Sequence, residues 1–379
     1  MPEDQSTPSV YTDLGVKRVI CARSSSTVLG GSILSPTVRA AMEEANRIYV
    51  EMPELLERAG ESIAELLGAE AAYPTPGCFA AITLGVSGVM TGGDPDLISR
   101  LPDTSGLKNE FLIQKCARYS YDRSVTVSGA RMIEVGDDSQ TTPNQLAQSI
   151  GPSAGGIVYA AHQEGEPGIL PLSEVVSIAK DSGVAVIVDA AYQVYPLERI
   201  TELVNSGADL VCFSAKYMGG PNSAGFLCGN KEAVRAAALN GFMAFETEKN
   251  RNLGRGYKID RQEVIATVAV LKEWLEMDHS ARLADQDRSF QVVAESLAGL
   301  PHVEIEQGWY DRYCSMEMRI TLDEEALGRT AASVEEALRN GDPTIWLWLE
   351  GTSLKFGVDT LLPGEERTLA RRLREELES

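Results

Sequence analysis

The sequence has few residues that could build a metal site or a disulfide framework. Its 379 residues include three histidines, and none of them belongs to an HExxH motif or to a Cys/His cluster. The six cysteines are spread widely, without a CxxC pair. In a chain of this length, such cysteines are typical of reduced thiols in a cytoplasmic protein. We therefore expect no metal site and no zinc-dependent chemistry.

Basic residues and long apolar runs are also scarce. The chain has 34 Lys and Arg against 55 Asp and Glu, which gives a formal net charge of −21. This charge opposes binding to nucleic acid or to anionic membranes. No apolar run approaches the roughly 18 residues of a membrane-spanning helix. The first ten residues lack the basic and apolar regions of a signal peptide. We predict a cytoplasmic protein with no nucleic-acid and no membrane partner.

The stretch 184–229 organises the rest of the chain. An apolar run at 184–188 ends in Asp189, and a predicted helix follows at 196–205. A second apolar run at 208–213 leads to Ser214 and Lys216, and a third follows at 224–228. Continuous apolar strands separated by helices indicate a parallel sheet that is covered on both faces. In such sheets, ligands bind at the carboxyl ends of the strands.

The groups at these strand ends suit pyridoxal 5'-phosphate. A partly buried amine such as that of Lys216 can hold an aldehyde as a Schiff base. A carboxylate such as that of Asp189 can keep a pyridine nitrogen protonated. The two positions are 27 apart in the sequence, which is about one crossover unit. The alternative is a helix cap at Asp189 and a solvated lysine, but Ser214 and the following Gly-Gly-Pro turn favour the cofactor.

Other segments contain candidate ligand-binding residues. The strand predicted at 71–75 runs through Thr75, Pro76, Gly77 and Cys78 into a helix. Free N–H groups at a helix start can bind an anion, so we predict the phosphate there. Many α/β proteins have such a junction without a ligand.

Four further positions are candidates for substrate binding. Ser26 lies in a small-residue segment that is either a ligand-binding or a plain surface loop. His162 follows the strand predicted at 156–161, and Gln193 follows Asp189. Arg255 lies between two glycines in a charged loop predicted at 246–261, where it either binds an anion or is solvated.

The pattern predicts three regions. Residues 1–50 form an N-terminal arm and helix, 51–255 form a large α/β domain that binds the cofactor, and 256–379 form a smaller α+β domain.

The chain resembles the fold-type I pyridoxal-phosphate enzymes of the selenocysteine synthase-like group, which includes the D-glucosaminate-6-phosphate ammonia-lyase type. The motifs that carry the resemblance are LGGS at 29–32, TPG at 75–77, LPDTSGLKNE at 101–110, VDAA at 188–191, GADLVCFSAK at 207–216, GGPNSAG at 219–225 and TLLPGEE at 360–366.

The resemblance implies a fold and a role for each matching residue. It implies a mostly parallel seven-stranded sheet between helices, with a smaller C-terminal α+β domain. Lys216 would carry the Schiff base and move the Cα proton. Asp189 would pair with the pyridinium and Ala191 would pack under the ring. The phosphate would be held by a further set of residues, namely Thr75, Gly77, Cys78 and Ser214. A homodimer or larger homo-oligomer would complete the active sites.

The chain departs from the group at two functional positions. Ala117 stands where a ring-stacking histidine is expected, so Tyr119 or Tyr121 would replace it. Asp359 stands where the group often has arginine, which indicates a substrate with a cationic group. A tRNA substrate is disfavoured because the net charge of −21 does not provide a basic surface.

We therefore predict a pyridoxal-phosphate-dependent enzyme that acts on an amino acid or related amine by α,β-elimination. An aminotransferase or racemase is the alternative enzyme. A catalytically degenerate protein that only binds the cofactor or a partner is the alternative without activity.

Overall fold

The computed structural model describes residues 10–248, 250–310 and 314–378, so residues 1–9 of the predicted arm lie outside the described residues. The helices of the described residues are α1 (Val10–Asp13), α2 (Pro36–Arg47), α3 (Met52–Leu67), α4 (Cys78–Thr91), α5 (Pro95–Arg100), α6 (Arg123–Thr126), α7 (Pro143–Ser149), α8 (Leu172–Ser182), α9 (Leu197–Val204), α10 (Lys231–Leu239), α11 (Phe242–Thr247), α12 (Arg261–Glu276), α13 (His279–Leu297), α14 (Glu324–Leu327), α15 (Ala331–Asn340) and α16 (Glu365–Glu378). The strands of the same residues are β1 (Val19–Cys21), β2 (Ala71–Thr75), β3 (Glu110–Gln114), β4 (Arg131–Val135), β5 (Ala154–Ala160), β6 (Ala185–Asp189), β7 (Leu210–Ser214), β8 (Gly225–Gly229), β9 (Val303–Tyr310), β10 (Ser315–Leu322), β11 (Thr344–Trp346), β12 (Trp348–Glu350) and β13 (Ser353–Gly357).

The chain divides into two compact units. The large unit is Ile33–Glu276, and the small unit combines the chain before residue 33 with the chain from Met277 onward. The sequence prediction ended the large domain at residue 255, whereas α12 belongs to the large unit. The N-terminal strand β1 belongs to the small unit, where it pairs in parallel with β11.

The large unit is built on a seven-stranded sheet with the order β2-β8-β7-β6-β5-β3-β4. All neighbouring pairs are parallel except those of β8, which runs antiparallel to β2 and β7. The turn that joins β7 to β8 contains Gly219 and Pro221 and is too short for a parallel crossover. The predicted fold class, a mostly parallel sheet among helices with a smaller C-terminal sheet domain, is confirmed.

Burial explains why the central strands read as continuous apolar runs. All residues of β5 and β7, and all but the first of β6, are buried. Helix α4 crosses this sheet and is buried along most of its length, with a core that includes Ile82, Leu84 and Val86. A strand covered on both faces must be apolar at every position, so the pattern predicts it well.

The small unit has its own apolar core. A four-stranded antiparallel sheet has the order β12-β13-β10-β9. Phe290 of α13, Ile320 of β10, Phe356 of β13 and Leu373 of α16 are fully buried within this core. Within the described residues, no helix combines the length and apolar character that a membrane crossing requires.

Close packing between α4 and α10 depends on Gly88. A Cβ added at Gly88 would lie 2.6 Å from the backbone nitrogen of Ala237 and 2.8 Å from the carbonyl carbon of Ala236. Backbone atoms cannot move aside as a side chain can, so the two helices would have to separate.

We expect Gly88→Ala to lower the free energy of unfolding by about 1–3 kcal/mol through overpacking. Urea unfolding followed by circular dichroism measures this change. Gly93→Ala is the control, because a Cβ there would approach only the flexible Leu239 side chain, at 3.4 Å. An equal loss in both variants would contradict the packing argument.

Candidate active site

Polar side chains of the large unit follow several strands at one edge of the sheet. Asp189 ends β6, Ser214 ends β7 and Thr75 ends β2. These three strands run in the same direction, so their carboxyl ends meet at this edge. Thr75 and Ser214 both pair with Gly225 of β8, one from each side. The fold therefore brings together the strand ends that the sequence predicts as a site.

The Asp189 carboxylate is buried and surrounded by neutral donors. Only 4% of the residue is exposed. Its Oδ1 accepts hydrogen bonds from the backbone N–H of Ala191 at 3.0 Å and from the Cys78 thiol at 3.4 Å. Its Oδ2 accepts a hydrogen bond from the Tyr119 hydroxyl. None of the ion pairs in the described part of the large unit includes Asp189.

Both side-chain donors hold their protons at neutral pH. Burial raises the pKa of the Tyr119 hydroxyl far above its ordinary value, and the neighbouring Asp189 charge raises it further. Burial, with the same charge as the second cause, raises the pKa of the Cys78 thiol well above its ordinary value. The two groups therefore donate to Asp189 and do not compete with it for protons.

The turn between β2 and α4 exposes the amino end of a long helix. Gly77 has a φ of 84°, a conformation that glycine adopts without strain, and α4 begins at Cys78. The Thr75 hydroxyl donates to the carbonyl oxygen of Gly77 at 3.0 Å, which fixes the turn. A Cβ at Gly225 would lie 2.8 Å from the Gly77 carbonyl carbon, so glycine is needed on the neighbouring strand. The first N–H groups of α4 have no acceptor within the helix and form a site for an anion.

Lys216 lies in the turn after β7, next to a row of aromatic rings. It is half-buried, and its Nζ is 4.8 Å from the centre of the Tyr217 ring. The Tyr217 ring lies 5.6 Å from that of Tyr192, which lies 5.4 Å from His162. His162 meets Tyr119 edge-on at 4.8 Å. Tyr192 and Tyr217 were not predicted from the sequence. Each directly follows a predicted site residue, Ala191 and Lys216 respectively, and this adjacency could have identified them.

Gln193 and the loop after β5 are tied to α9 through Arg199. The Arg199 Nε donates to the Gln193 side-chain oxygen at 3.3 Å, and its guanidinium pairs with Glu164 at 2.5 Å. The second Glu164 oxygen accepts the backbone N–H of Leu172, at the start of α8, at 2.7 Å. The predicted substrate residue Gln193 is therefore engaged by a neighbouring cation.

Arg255 is likewise paired within the large unit. Its Nε lies 2.8 Å from the Glu246 carboxylate, and its guanidinium lies over the Phe245 ring at 5.7 Å. Glu246 belongs to the segment that was predicted as loop at 246–261, and the structure places it in the last turn of α11. Anion binding by Arg255 would depend on an unpaired guanidinium, and Glu246 already balances the charge of this one.

Two predicted substrate residues belong to the small unit. Asp359 accepts a hydrogen bond from the Ser24 hydroxyl at 2.5 Å. The backbone N–H of Ser26 donates to the Ser24 carbonyl oxygen at 2.6 Å. Gly357 permits this arrangement, since a Cβ there would lie 2.5 Å from the Ser24 hydroxyl oxygen and 2.7 Å from Asp359 Oδ1.

Comparisons with known proteins agree with this geometry. Residues 122–308 match the family model of class-V aminotransferases. The chain is 31% identical to a 5'-C-glycyluridine monooxygenase-decarboxylase of Streptomyces sp, over 96% of this chain and 91% of that protein. It is 30% identical to the D-glucosaminate-6-phosphate ammonia lyase of Salmonella typhimurium, over 97% of this chain and 98% of that protein. The chain belongs to the fold-type I pyridoxal-phosphate-dependent enzymes.

A solved structure gives the same assignment. The structure of a D-glucosaminate-6-phosphate ammonia-lyase superposes with a TM-score of 0.86 at 27% identity, covering 98% of this chain and 99% of that one. L-Seryl-tRNA(Sec) selenium transferases, including that of Moorella thermoacetica at 26% identity, are more distant relatives. The resemblance inferred from the sequence motifs is confirmed. This pyridoxal-phosphate enzyme therefore stands in the selenocysteine synthase-like group, and its relatives support a lyase-type function.

The residues present fit pyridoxal 5'-phosphate. The cofactor has a ring nitrogen that can be protonated, and the buried Asp189 carboxylate lacks a cationic partner among the described ion pairs of the large unit. The cofactor also has a phosphate, and the amino end of α4 offers free N–H groups beside Gly77. Its aldehyde requires an amine, and the Lys216 amine in the turn after β7 would supply one.

The ion pair beside the site leads to a pH prediction. Burial tends to raise the pKa of Glu164, but the Leu172 N–H and Arg199 outweigh it and hold the pKa below the ordinary value of 4.5. The stability from this group is therefore complete above pH 4.5 and is lost as the pH falls through the lower folded-state value. We expect Glu164→Gln to cost about 1 kcal/mol of unfolding free energy at pH 7, and the gap to wild type to close in acid.

Urea unfolding between pH 3 and pH 7 measures this gap. Glu166→Gln is the control, because it removes an exposed carboxylate from the same loop. A gap between Glu164→Gln and wild type that stays constant in acid would contradict the assignment.

Proposed function

We propose that Lys216 anchors the cofactor and that Asp189 holds the ring nitrogen. The N–H groups at the start of α4, with Thr75 and Ser214, would bind the phosphate. Gly77 and Cys78 would contribute backbone only, because the Cys78 thiol lies against Asp189. Ala191 would pack under the ring, since its backbone is fixed to Asp189 and Ser214. The observation that carries this proposal is the buried Asp189 carboxylate, which forms no ion pair in the described part of the large unit. It ends β6, the strand next to β7, and Lys216 lies in the turn after β7.

We propose α,β-elimination from a small-molecule amino acid or related amine. When bound, pyridoxal phosphate supplies a conjugated ring that accepts electrons released at the substrate Cα. The Lys216 amine takes the Cα proton onto Nζ. The electron pair of the broken C–H bond forms a Cα–Cβ double bond as the β-substituent departs. The half-buried position of Lys216 among aromatic rings limits water at this amine. The ammonia lyase relative supports this reaction type.

Arg255, Gln193, His162, Ser26 and Asp359 remain proposed substrate residues. Of these, His162 has the strongest support, because its ring stands between Tyr119 and Tyr192 at the strand edge. Arg255 and Gln193 would have to give up Glu246 and Arg199 to bind a substrate within this chain.

Substitution of Lys216 tests the function directly. We expect Lys216→Ala to lose the visible absorbance of the bound cofactor and all turnover, with an unchanged urea midpoint. Lys258→Ala, an exposed lysine of the large unit, should keep both. Absorbance and turnover that survive in Lys216→Ala would refute the assignment.

Product analysis tests the reaction class. Wild-type protein incubated with a panel of L- and D-amino acids should form keto acid and ammonia without a second substrate. Formation of the amine form of the cofactor would indicate transamination. Oxygen consumption with release of carbon dioxide would instead match the monooxygenase-decarboxylase relative. Either result would contradict elimination.

We also propose a cytoplasmic homodimer. All six cysteines are free thiols, which suits a reducing compartment. Between α2 and α3, Ile48, Tyr49 and Val50 are exposed by 60%, 93% and 47% of their surface. An apolar segment of this exposure is typical of a surface that another protein chain covers.

We expect Tyr49→Glu to weaken this dimer, because it adds a charge to the apolar segment of an already acidic chain. Light scattering after size-exclusion chromatography should give twice the chain mass for wild type and a lower, concentration-dependent mass for the variant. Leu349→Glu, at an exposed apolar residue of the small unit, is the control. A monomeric wild type, or equal masses for wild type and Tyr49→Glu, would contradict the proposal.

A further inference from the structure

The acceptor sites of the Asp189 carboxylate are almost all occupied. An ionised carboxylate offers about four lone-pair sites, two on each oxygen. Ala191 and Cys78 donate to Oδ1, and Tyr119 donates to Oδ2. One site on Oδ2 is therefore left for a further donor. None of the three donors carries a charge, so none of them is a counter-charge for the carboxylate.

The Tyr119 hydroxyl is held in place by the loop that carries it. The backbone N–H of Tyr119 donates to Asp122 Oδ2 at 3.3 Å, and the Asp122 N–H donates to the Tyr119 carbonyl oxygen at 3.2 Å. Arg118 pairs with both Asp122 and Glu134, which ties this turn to β4. The edge-on contact with His162 fixes the ring itself. These contacts therefore hold the Tyr119 hydroxyl in the position from which it donates to Asp189.

The Cys78 thiol reaches Asp189 from α4, whereas the Tyr119 hydroxyl reaches it from the loop after β3. Cys78 is the first residue of α4, and its sulfur lies 3.3 Å from the carbonyl oxygen of Cys212 as well as 3.4 Å from Asp189 Oδ1. Its single proton is shared between these two acceptors. Helix α4 is buried along most of its length, which holds the backbone of Cys78 in place.

We propose that Tyr119 and Cys78 are positioning residues that orient the Asp189 carboxylate and keep it negatively charged for the ring nitrogen of the cofactor. This inference rests on the proposed role of Asp189. It gives Tyr119 a function through its hydroxyl, in place of ring stacking, and gives Cys78 one through its side chain, separate from phosphate binding. In a site this buried, loss of a donor would favour transfer of the ring-nitrogen proton to the carboxylate.

The first test replaces only the Tyr119 hydroxyl. In Tyr119→Phe the ring remains, so any stacking is kept while the donor to Asp189 is lost. We expect the dissociation constant of pyridoxal phosphate to rise about tenfold, since hydrogen bonds to charged groups are among the stronger ones. With ¹⁵N-labelled cofactor, the ring-nitrogen resonance should move toward that of an unprotonated pyridine.

The matched control is Tyr159→Phe. Tyr159 is also buried, and its hydroxyl donates to the Leu170 carbonyl oxygen at 3.2 Å, away from Asp189. This control loses a buried hydroxyl of the same unit. It should leave the ¹⁵N resonance and the dissociation constant unchanged, even if the urea midpoint falls.

The second test separates the thiol from the backbone at Cys78. Cys78→Ala keeps the N–H of the helix start but removes the donor, and we expect a rise of about twofold to fivefold in the dissociation constant, since a thiol is a weak donor. Cys78→Ser should restore it, because a hydroxyl can donate to the same oxygen. Cys228→Ala, at another fully buried thiol, is the control for loss of volume.

The outcomes distinguish this inference from the proposed function. Normal cofactor binding by wild type, with unchanged binding and ¹⁵N resonance in Tyr119→Phe and Cys78→Ala, would overturn the inference alone. Tighter binding by Tyr119→Phe would also overturn it, because the hydroxyl would then compete with the ring nitrogen. Survival of the cofactor absorbance and of turnover in Lys216→Ala, or no cofactor binding by wild type, would remove the proposed function itself.

Discussion

The arrangement of the site depends on the Asp189 carboxylate, which is buried without an ion-pair partner in the described part of the large unit. Isolated burial of a carboxylate costs several kcal/mol unless hydrogen bonds or a counter-charge compensate. Asp189 has the hydrogen bonds, from Ala191, Cys78 and Tyr119, but no ion pair in the described part of the large unit. In the proposed arrangement, this carboxylate receives a cation. A protonated ring nitrogen is the cation that this family's cofactor provides.

The scaffold fixes Asp189 through elements that are far apart in sequence. Strand β6 lies between β5 and β7, and Asp189 pairs in register with Cys212. Helix α4 brings Cys78 across from the edge strand β2, and the turn after β3 brings Tyr119 from the other side. Three segments thus converge on one carboxylate. The tight crossing of α4 and α10 at Gly88 supports the same helix from behind.

The sequence predicts the parts of this arrangement that depend on local chemistry. Continuous apolar runs located β6 and β7, and Asp189 and Lys216 were placed at strand ends. The directions of the Tyr119 hydroxyl and the Cys78 thiol could not be predicted, because they depend on contacts with Asp189 that span 70 and 111 residues. The pairing of Arg255 with Glu246, and of Gln193 with Arg199, is local in the sequence, and it was not foreseen because it depends on how the turns between the partners fold.

The excess of acidic residues limits which groups of the large unit can bind an anionic ligand. With 55 acidic against 34 basic side chains, an arginine of the large unit readily finds a carboxylate, as Arg199 and Arg255 do. The backbone N–H groups at the start of α4 carry no net charge, so they do not form ion pairs with the acidic side chains. An anion such as a phosphate is therefore better recognised there by the helix end than by a guanidinium. In the proposed arrangement, neutral donors act at both ends of the cofactor, and they leave Lys216 and Asp189 as the charged groups that engage it directly.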